Sequence, residues 1–163
     1  MKKEKDQFLK KIVIPAFFTA FAAAVLVLTL KYFNFNIKYG TGSSGIIFAS
    51  FGSSLFLLFM APKSKTASVR KFVKSYLIGG VIGVAGSTML SYLPLFLVAF
   101  IIIFVASIVL FVADSVHPPA IAIAFAFVLF RIDVYGMVIV ASTAFLIVLL
   151  KLFFDRFVYP FEK

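Results

Sequence analysis

A single acid–base pair stands out in a chain that is otherwise poor in reactive side chains. Asp114 and the only histidine, His117, share the segment Asp114-Ser115-Val116-His117-Pro118-Pro119. Histidine titrates near neutral pH, so His117 could bind and release a proton while Asp114 orients its imidazole. Ionisable groups are unfavourable at membrane depth, where they indicate function. The first candidate site therefore contains Asp114, Ser115, His117, Pro118 and Pro119.

Small polar residues form two further candidate groups upstream of this segment. Gly42-Ser43-Ser44-Gly45 offers backbone N–H groups and hydroxyls, and Gly52-Ser53-Ser54 lies in the same apolar stretch. At the start of a helix, free N–H groups and the positive end of the dipole favour an anion. For the group around Gly52, a packing notch and a ligand contact are equally good interpretations.

Catalysis and metal binding are poorly supported by this inventory. The chain has no cysteine and one histidine, too few ligands for a typical zinc site. A Ser-His-Asp triad rests on proximity alone. We therefore expect no enzyme activity, no metal and no cofactor.

The composition is that of an integral membrane protein. Of the 163 residues, 63% are hydrophobic and 13% are charged, and the net charge is +10. Soluble domains carry about a quarter charged residues. The basic residues lie at the ends of apolar runs, which argues against nucleic acid as a partner. The lipid bilayer is the expected partner, with anionic lipid headgroups near the basic loop 63–74.

Uncharged runs divide the chain into hydrophobic elements. The run 75–113 has 39 residues, about twice the length of one span, and Ser91-Tyr92-Leu93-Pro94 is a natural turn within it. The sequence thus predicts an all-α membrane domain with six helical elements: 12–30, 39–62, two within 75–113, 118–130, and 134–150 extending to about residue 154.

Two of these elements look too short or broken to span the bilayer regularly. A helix over 118–130 is about 20 Å long, against a hydrocarbon core of about 30 Å. It would begin in a recess that contains His117. The alternative is an ordinary cytoplasmic turn, with this element tilted or the bilayer thinned. In the second element, residues 42–45 are expected to be non-helical before a helix over 46–60.

Charge asymmetry predicts the topology. The N-terminal tail, the basic loop and the C-terminal tail hold five, five and three of the 16 Lys and Arg residues. Under the positive-inside rule both termini are cytoplasmic in a multi-pass protein of the cell membrane. The predicted organisation is a tail over 1–11, one transmembrane domain over 12–154 and a tail over 155–163. Halves 12–93 and 94–154 would form a 3+3 inverted repeat.

Small residues recur at every fourth position of the third element, at Ser75, Gly79, Gly83 and Ser87, and Gly80 and Gly86 flank this stripe. Such a stripe permits close helix packing in lipid, within the chain or in a homo-oligomer.

Two motifs carry a family resemblance. His117-Pro118-Pro119 and Ser50-Phe51-Gly52-Ser53-Ser54, followed by Ala61-Pro62 and Gly79-Gly80, resemble the HPP family of integral membrane proteins. The resemblance implies a membrane domain of several helices, and some members are linked to nitrite transport in plastids and cyanobacteria. Members usually continue the motif as His-Pro-Pro-Ala-Gly-Ala, whereas Ile121 follows Ala120 here.

Two functional hypotheses follow. The first is a transporter or channel for a small inorganic anion, nitrite by resemblance, with His117 as a proton-coupling group. The second is a non-transporting membrane subunit or scaffold that acts with an energising partner.

Overall fold

The computed structural model describes residues 7–158, and these residues form helices without any strand. Five of the helices are long and apolar enough to cross a membrane, and one shorter apolar helix accompanies them. The predicted all-α integral membrane fold is therefore confirmed. The α-helices of this described part are α1 Ile14–Tyr32, α2 Phe35–Tyr39, α3 Thr41–Met60, α4 Val69–Met89, α5 Leu95–Val112, α6 Pro119–Leu129 and α7 Val134–Phe153.

The bundle has two chemically different ends. The connections 61–68 and 113–118 lie at one end, termed the basic end, together with the N-terminal part of α4. The connections 33–40, 90–94 and 130–133 lie at the other end, termed the opposite end. Which end faces the cytoplasm stays a prediction from charge.

The turn predicted at residues 91–94 is confirmed, because α4 ends at Met89 and α5 begins directly after Pro94. Three other connections, 33–40, 113–118 and 130–133, contain residues with positive φ. Asn34 and Gly40 enclose the short helix α2, with φ values of 51° and 84°. Glycine is suited to the second position because it has no Cβ to clash in this conformation.

The prediction of a non-helical run at residues 42–45 is wrong. These residues form the first turns of α3, which is 20 residues long, or about 30 Å, enough to cross a bilayer. The break lies at Gly40 instead. A helix satisfies the backbone polar groups of this segment internally, which an apolar surrounding requires. Only one of the two short helices expected from the sequence is therefore present.

That short helix is α6, with 11 residues and a length of about 16 Å. It packs most extensively against α4, with α3 and α5 alongside. Two glycines of α4 make this packing possible, since a Cβ at Gly79 would lie 2.6 Å from the Ala120 carbonyl oxygen and one at Gly83 would lie 2.7 Å from the Phe127 Cβ. The small-residue face of α4 therefore carries α6 at close range.

The remaining small residues of α4 extend this packing to other helices. A Cβ at Gly80 would meet Met137 of α7, and one at Gly86 would lie 2.5 Å from Ile102 of α5. Ser75 is buried, with its hydroxyl on the Phe72 carbonyl at 2.8 Å, and Ser87 is half-buried.

The helical ends extend beyond the predicted domain limits. π-Helical turns at Leu9–Val13 and Phe154–Val158 continue α1 and α7, so parts of the predicted tails 1–11 and 155–163 are helical. Both tails also include residues that lie outside the described part of the chain, among them Lys2, Lys3, Lys5 and Lys163.

Candidate functional site

His117 lies in the connection between α5 and α6, and its exposed fraction is 0%. Its neighbours come from well inside the helices. Ser54 lies six residues before the end of α3 and Tyr76 seven residues after the start of α4, so the imidazole lies about 10 Å inside the basic end. The burial of His117 expected from the short helix is therefore confirmed.

A chain of hydrogen bonds surrounds the imidazole. Nδ1 lies 3.0 Å from the Thr66 carbonyl oxygen and Nε2 lies 2.7 Å from the Ser54 hydroxyl. The Ser54 hydroxyl is also 2.9 Å from the Tyr76 hydroxyl. Ser50, one helical turn before Ser54, is 3.1 Å from Tyr76 and donates to the Pro119 carbonyl at 2.5 Å. We refer to His117, Ser50, Ser54 and Tyr76 as the His117 network.

The direction of these bonds follows from donor and acceptor chemistry. A carbonyl only accepts, so Nδ1 must donate to Thr66, and in the neutral ring Nε2 must then accept from Ser54. The single hydroxyl proton of Ser54 is thereby committed, which makes Tyr76 the donor to Ser54. Because every polar group has a partner, the buried network is fully satisfied.

A second proton on the imidazole would reverse part of this chain. With both ring nitrogens protonated, Nε2 donates to Ser54. The Ser54 proton then turns to the Ser50 carbonyl oxygen, which is 3.2 Å away, or to Tyr76. The same heavy-atom positions thus accommodate two proton arrangements, one for each charge state of His117.

Aromatic rings and a loop enclose His117. The rings of Phe72 and Tyr76 lie 5.7 and 5.9 Å from the imidazole, between centroids. From the basic end, the connection 61–68 covers the ring through Thr66 and the buried Ala67. Beside this cover lies an open groove of about 770 Å³. The groove is lined by Ser53, Phe56, Leu57, Thr66, Pro118 and Pro119.

The expectation that Asp114 orients His117 is wrong. The Asp114 side chain is 89% exposed and forms a 2.9 Å ion pair with Lys71. The hydrogen bond from Lys71 holds the pKa of this carboxyl below its ordinary value. A positive φ of 46° at Asp114 turns the chain, so the carboxylate and the imidazole diverge. The Thr66 carbonyl takes the orienting role instead.

The other sequence candidates are dispersed over the bundle. Ser115 is buried near the network but bonds the Ala113 carbonyl at 3.1 Å. Ser53 is exposed, and open space surrounds the position where a Cβ of Gly52 would lie. The run 42–45 lies at the opposite end, about 15 Å from Ser54 along α3. Of the candidates, only Ser54 and His117 belong to the network, and the Pro119 carbonyl accepts a hydrogen bond from Ser50 of the network.

Sequence reasoning missed Ser50, Tyr76 and the Thr66 carbonyl. Ser50 and Ser54 are spaced i, i+4, which places both hydroxyls on one face of a helix. That spacing was a usable signal. Tyr76 of α4 offers a weaker signal as a hydroxyl within an apolar span, because its contact with Ser50 and Ser54 of α3 depends on tertiary packing.

Comparison with known proteins places the chain in a family. Residues 9–160 match the family model described as the HPP transmembrane region. The chain therefore belongs to the HPP transmembrane family, as the resemblance predicted, and it is a multi-pass membrane protein. No significant match was found among curated proteins or among solved structures.

Proposed function

We propose that this protein transports a small inorganic anion together with a proton, and that the His117 network is the proton-binding part of its gate. The observation that supports this most directly is the buried chain from Tyr76 through Ser54 to His117. A chain of this kind inside a membrane domain provides a titratable group that is separated from bulk water.

The coupling of proton and anion has a physical basis in the burial of His117. An isolated buried imidazolium is strongly unfavourable because it has lost its hydration. A small anion beside it would compensate the charge, so each ion raises the affinity for the other. A monovalent anion and one proton would then move as a neutral pair.

Charge at the basic end supports an anionic substrate. Lys71 and Lys74 lie at the rim of the His117 segment, where Lys74 donates to the Ala113 carbonyl at 2.6 Å. Lys63, Lys65 and Arg70 are exposed close by. A concentration of positive charge around an entrance raises the local concentration of anions.

The structure corresponds to a closed arrangement in this proposal. The neutral imidazole has no free N–H, since Nδ1 donates to Thr66 and Nε2 accepts from Ser54. Entry of an anion from the groove would require the connection 61–68 to move away from His117. Two pairs of contacts support the proposed 3+3 inverted repeat: α1–α3 corresponds to α5–α6, and α4–α5 corresponds to α1–α7. The extensive α4–α6 contact has only a weak counterpart in α3–α7.

The test is uptake into proteoliposomes that contain the purified full chain. Nitrite, nitrate, formate and chloride are offered at two pH values on either side of the ordinary histidine pKa of about 6.5. We expect an inward proton gradient to drive uptake of one of these anions, nitrite first, without dependence on membrane potential. His117→Gln should abolish the proton-driven component.

Matched variants separate the network from general damage. Tyr76→Phe removes the network hydroxyl and should slow uptake, whereas Tyr92→Phe removes an exposed hydroxyl and should not. Folded protein without flux of any of the four anions would contradict transport and favour the subunit hypothesis. Unchanged flux and pH dependence in His117→Gln would contradict only the proton-binding role of His117 and would leave the proposal of transport standing.

A further inference from the structure

A crevice at the opposite end of the bundle is unrelated to the His117 network. It has a volume of about 410 Å³ and lies between α1, α2 and α3. Three polar side chains line it, one from each helix: Lys31, Asn36 and Ser44.

The Ser44 hydroxyl is the observation that points to a ligand in this crevice. Its oxygen is buried and has no hydrogen-bond partner among the described residues, and it is the only such side-chain atom in that part of the chain. A buried hydroxyl without a partner destabilises a fold, so such groups usually have one. A ligand in the crevice would supply the missing partner.

Lys31 gives the crevice a positive charge. Of the three Lys and Arg residues at this end, Lys38 is paired with Asp133 at 3.0 Å. Lys31 has no acidic partner within residues 7–158. An unpaired ammonium beside an amide and a hydroxyl is suited to an oxyanion, because all three groups donate hydrogen bonds.

The rest of the lining is apolar and determines what kind of oxyanion fits. Val27 lies one turn before Lys31 in α1, and Phe48 lies one turn after Ser44 in α3. Both are substantially exposed on the outer surface of the bundle. The crevice is thus polar toward the opposite end and apolar toward the membrane interior.

From this gradient we infer that the crevice binds a phospholipid, with the headgroup phosphate on Lys31, Asn36 and Ser44 and an acyl chain along Val27 and Phe48. A free inorganic anion would use the polar groups only and would leave the apolar wall uncovered. An amphiphile covers both parts. This inference is independent of the proposed transport function.

Native mass spectrometry of the detergent-purified full chain tests the inference. The protein is incubated with phosphatidylglycerol and phosphatidylethanolamine, and the lipid-bound fraction is measured. We expect one retained phospholipid, with affinity reduced about tenfold in Lys31→Gln through loss of a charged hydrogen bond. Arg131→Gln is the control, since it removes the same charge at the same end but outside the crevice.

A second pair of variants tests the apolar half. No atom lies within 4 Å of a Cβ built at Gly45, which lines the crevice, or at Gly52, which does not. Gly45→Leu should therefore fill the crevice and reduce lipid retention, and Gly52→Leu should leave it unchanged. Circular dichroism confirms that each variant is folded.

Two results would overturn the inference. One is equal lipid retention in Lys31→Gln and Arg131→Gln, with Gly45→Leu also unaffected. The other is binding of free phosphate or nitrite that depends on Lys31 and persists in Gly45→Leu, which would assign the polar groups to a soluble anion.

Discussion

A polar cluster joins neighbouring helices at each end of the bundle, and the two clusters differ in their chemistry. At the basic end, the neutral and buried His117 network joins α3, α4 and the start of α6. At the opposite end, the Asp133 carboxylate accepts from Tyr39, from Lys38 at 3.0 Å and from the Gly136 backbone N–H at 3.1 Å. This second cluster joins α2 to the start of α7.

The difference between the clusters lies in their exposure. The side chains of Lys38 and Asp133 are 44% and 54% exposed, whereas every residue of the His117 network is buried. Water and salt weaken an exposed ion pair, which typically contributes up to about 1 kcal/mol. A buried network has no water to replace a lost partner, so each deletion has a larger effect. We therefore expect the neutral His117 network to contribute more to stability than the charged pair of Lys38 and Asp133.

The largest effect is expected where α4 packs against α6, between the two ends of the bundle. Gly83→Val would place atoms against the Ala124 backbone, since even a Cβ lies 2.9 Å from its carbonyl oxygen. We expect α4 and α6 to separate and the free energy of unfolding in detergent to fall by about 3 kcal/mol or more. Gly52→Val, which has open space, is the control, and an equal loss in both would contradict the assigned packing.

Deleting a network hydroxyl should have the next largest effect. Ser54→Ala leaves Nε2 of His117 without its donor, and we expect a loss of about 2 kcal/mol of unfolding free energy. The neighbouring Ser53→Ala removes an exposed hydroxyl and should change little. Reversible denaturation in micelles measures both. A similar value for the two serines would remove the distinction between buried and exposed polar groups.

At the opposite end, Asp133→Ala should destabilise by about 1 kcal/mol, mainly through loss of the N-cap of α7. Asp133→Asn separates capping from charge, because asparagine caps as well as aspartate. We expect the asparagine variant to recover most of the loss in the same denaturation measurement. If it resembles the alanine variant, the ion pair with Lys38 contributes more than its exposure suggests.

The smallest effect is the pH dependence of this cluster. The hydrogen bond from Tyr39 lowers the pKa of Asp133 to about 2. Because the folded pKa lies below the unfolded value of about 3.9, the stabilisation is complete above that value and is lost as the pH falls toward 2. Wild type should therefore lose more stability than Asp133→Asn between pH 4 and pH 2, measured by thermal unfolding. If wild type and Asp133→Asn lose stability equally between pH 4 and pH 2, the lowered pKa of Asp133 is contradicted.

Charge-free runs were sufficient to predict the five long apolar helices, because a membrane requires long apolar segments whatever their packing. They also indicated the short helix after Pro118. The short helix α2, which contains Lys38, was not predicted. The state of residues 42–45 was not predictable from their glycines, since glycine weakens helices in water but an apolar surrounding makes helical hydrogen bonds obligatory.

The site was predictable in part. His117 and Ser54 were identified from polarity within apolar sequence, but their contact depends on the packing of α3 beside α6. The proximity of Asp114 to His117 in sequence was misleading, because the positive φ at Asp114 directs the two side chains apart. Tyr76 joins the network only through tertiary structure.

The continuity of α3 has a mechanical consequence. One rod of about 30 Å carries the 42–45 run near its start and Ser54 toward its other end. If α3 tilts as one rod about its middle, a tilt that moves Ser54 away from the imidazole moves Ser44 in the opposite direction relative to Lys31. Widening of the space beside His117 at one end of the bundle would then accompany narrowing of the crevice beside Lys31 at the other end, or the reverse.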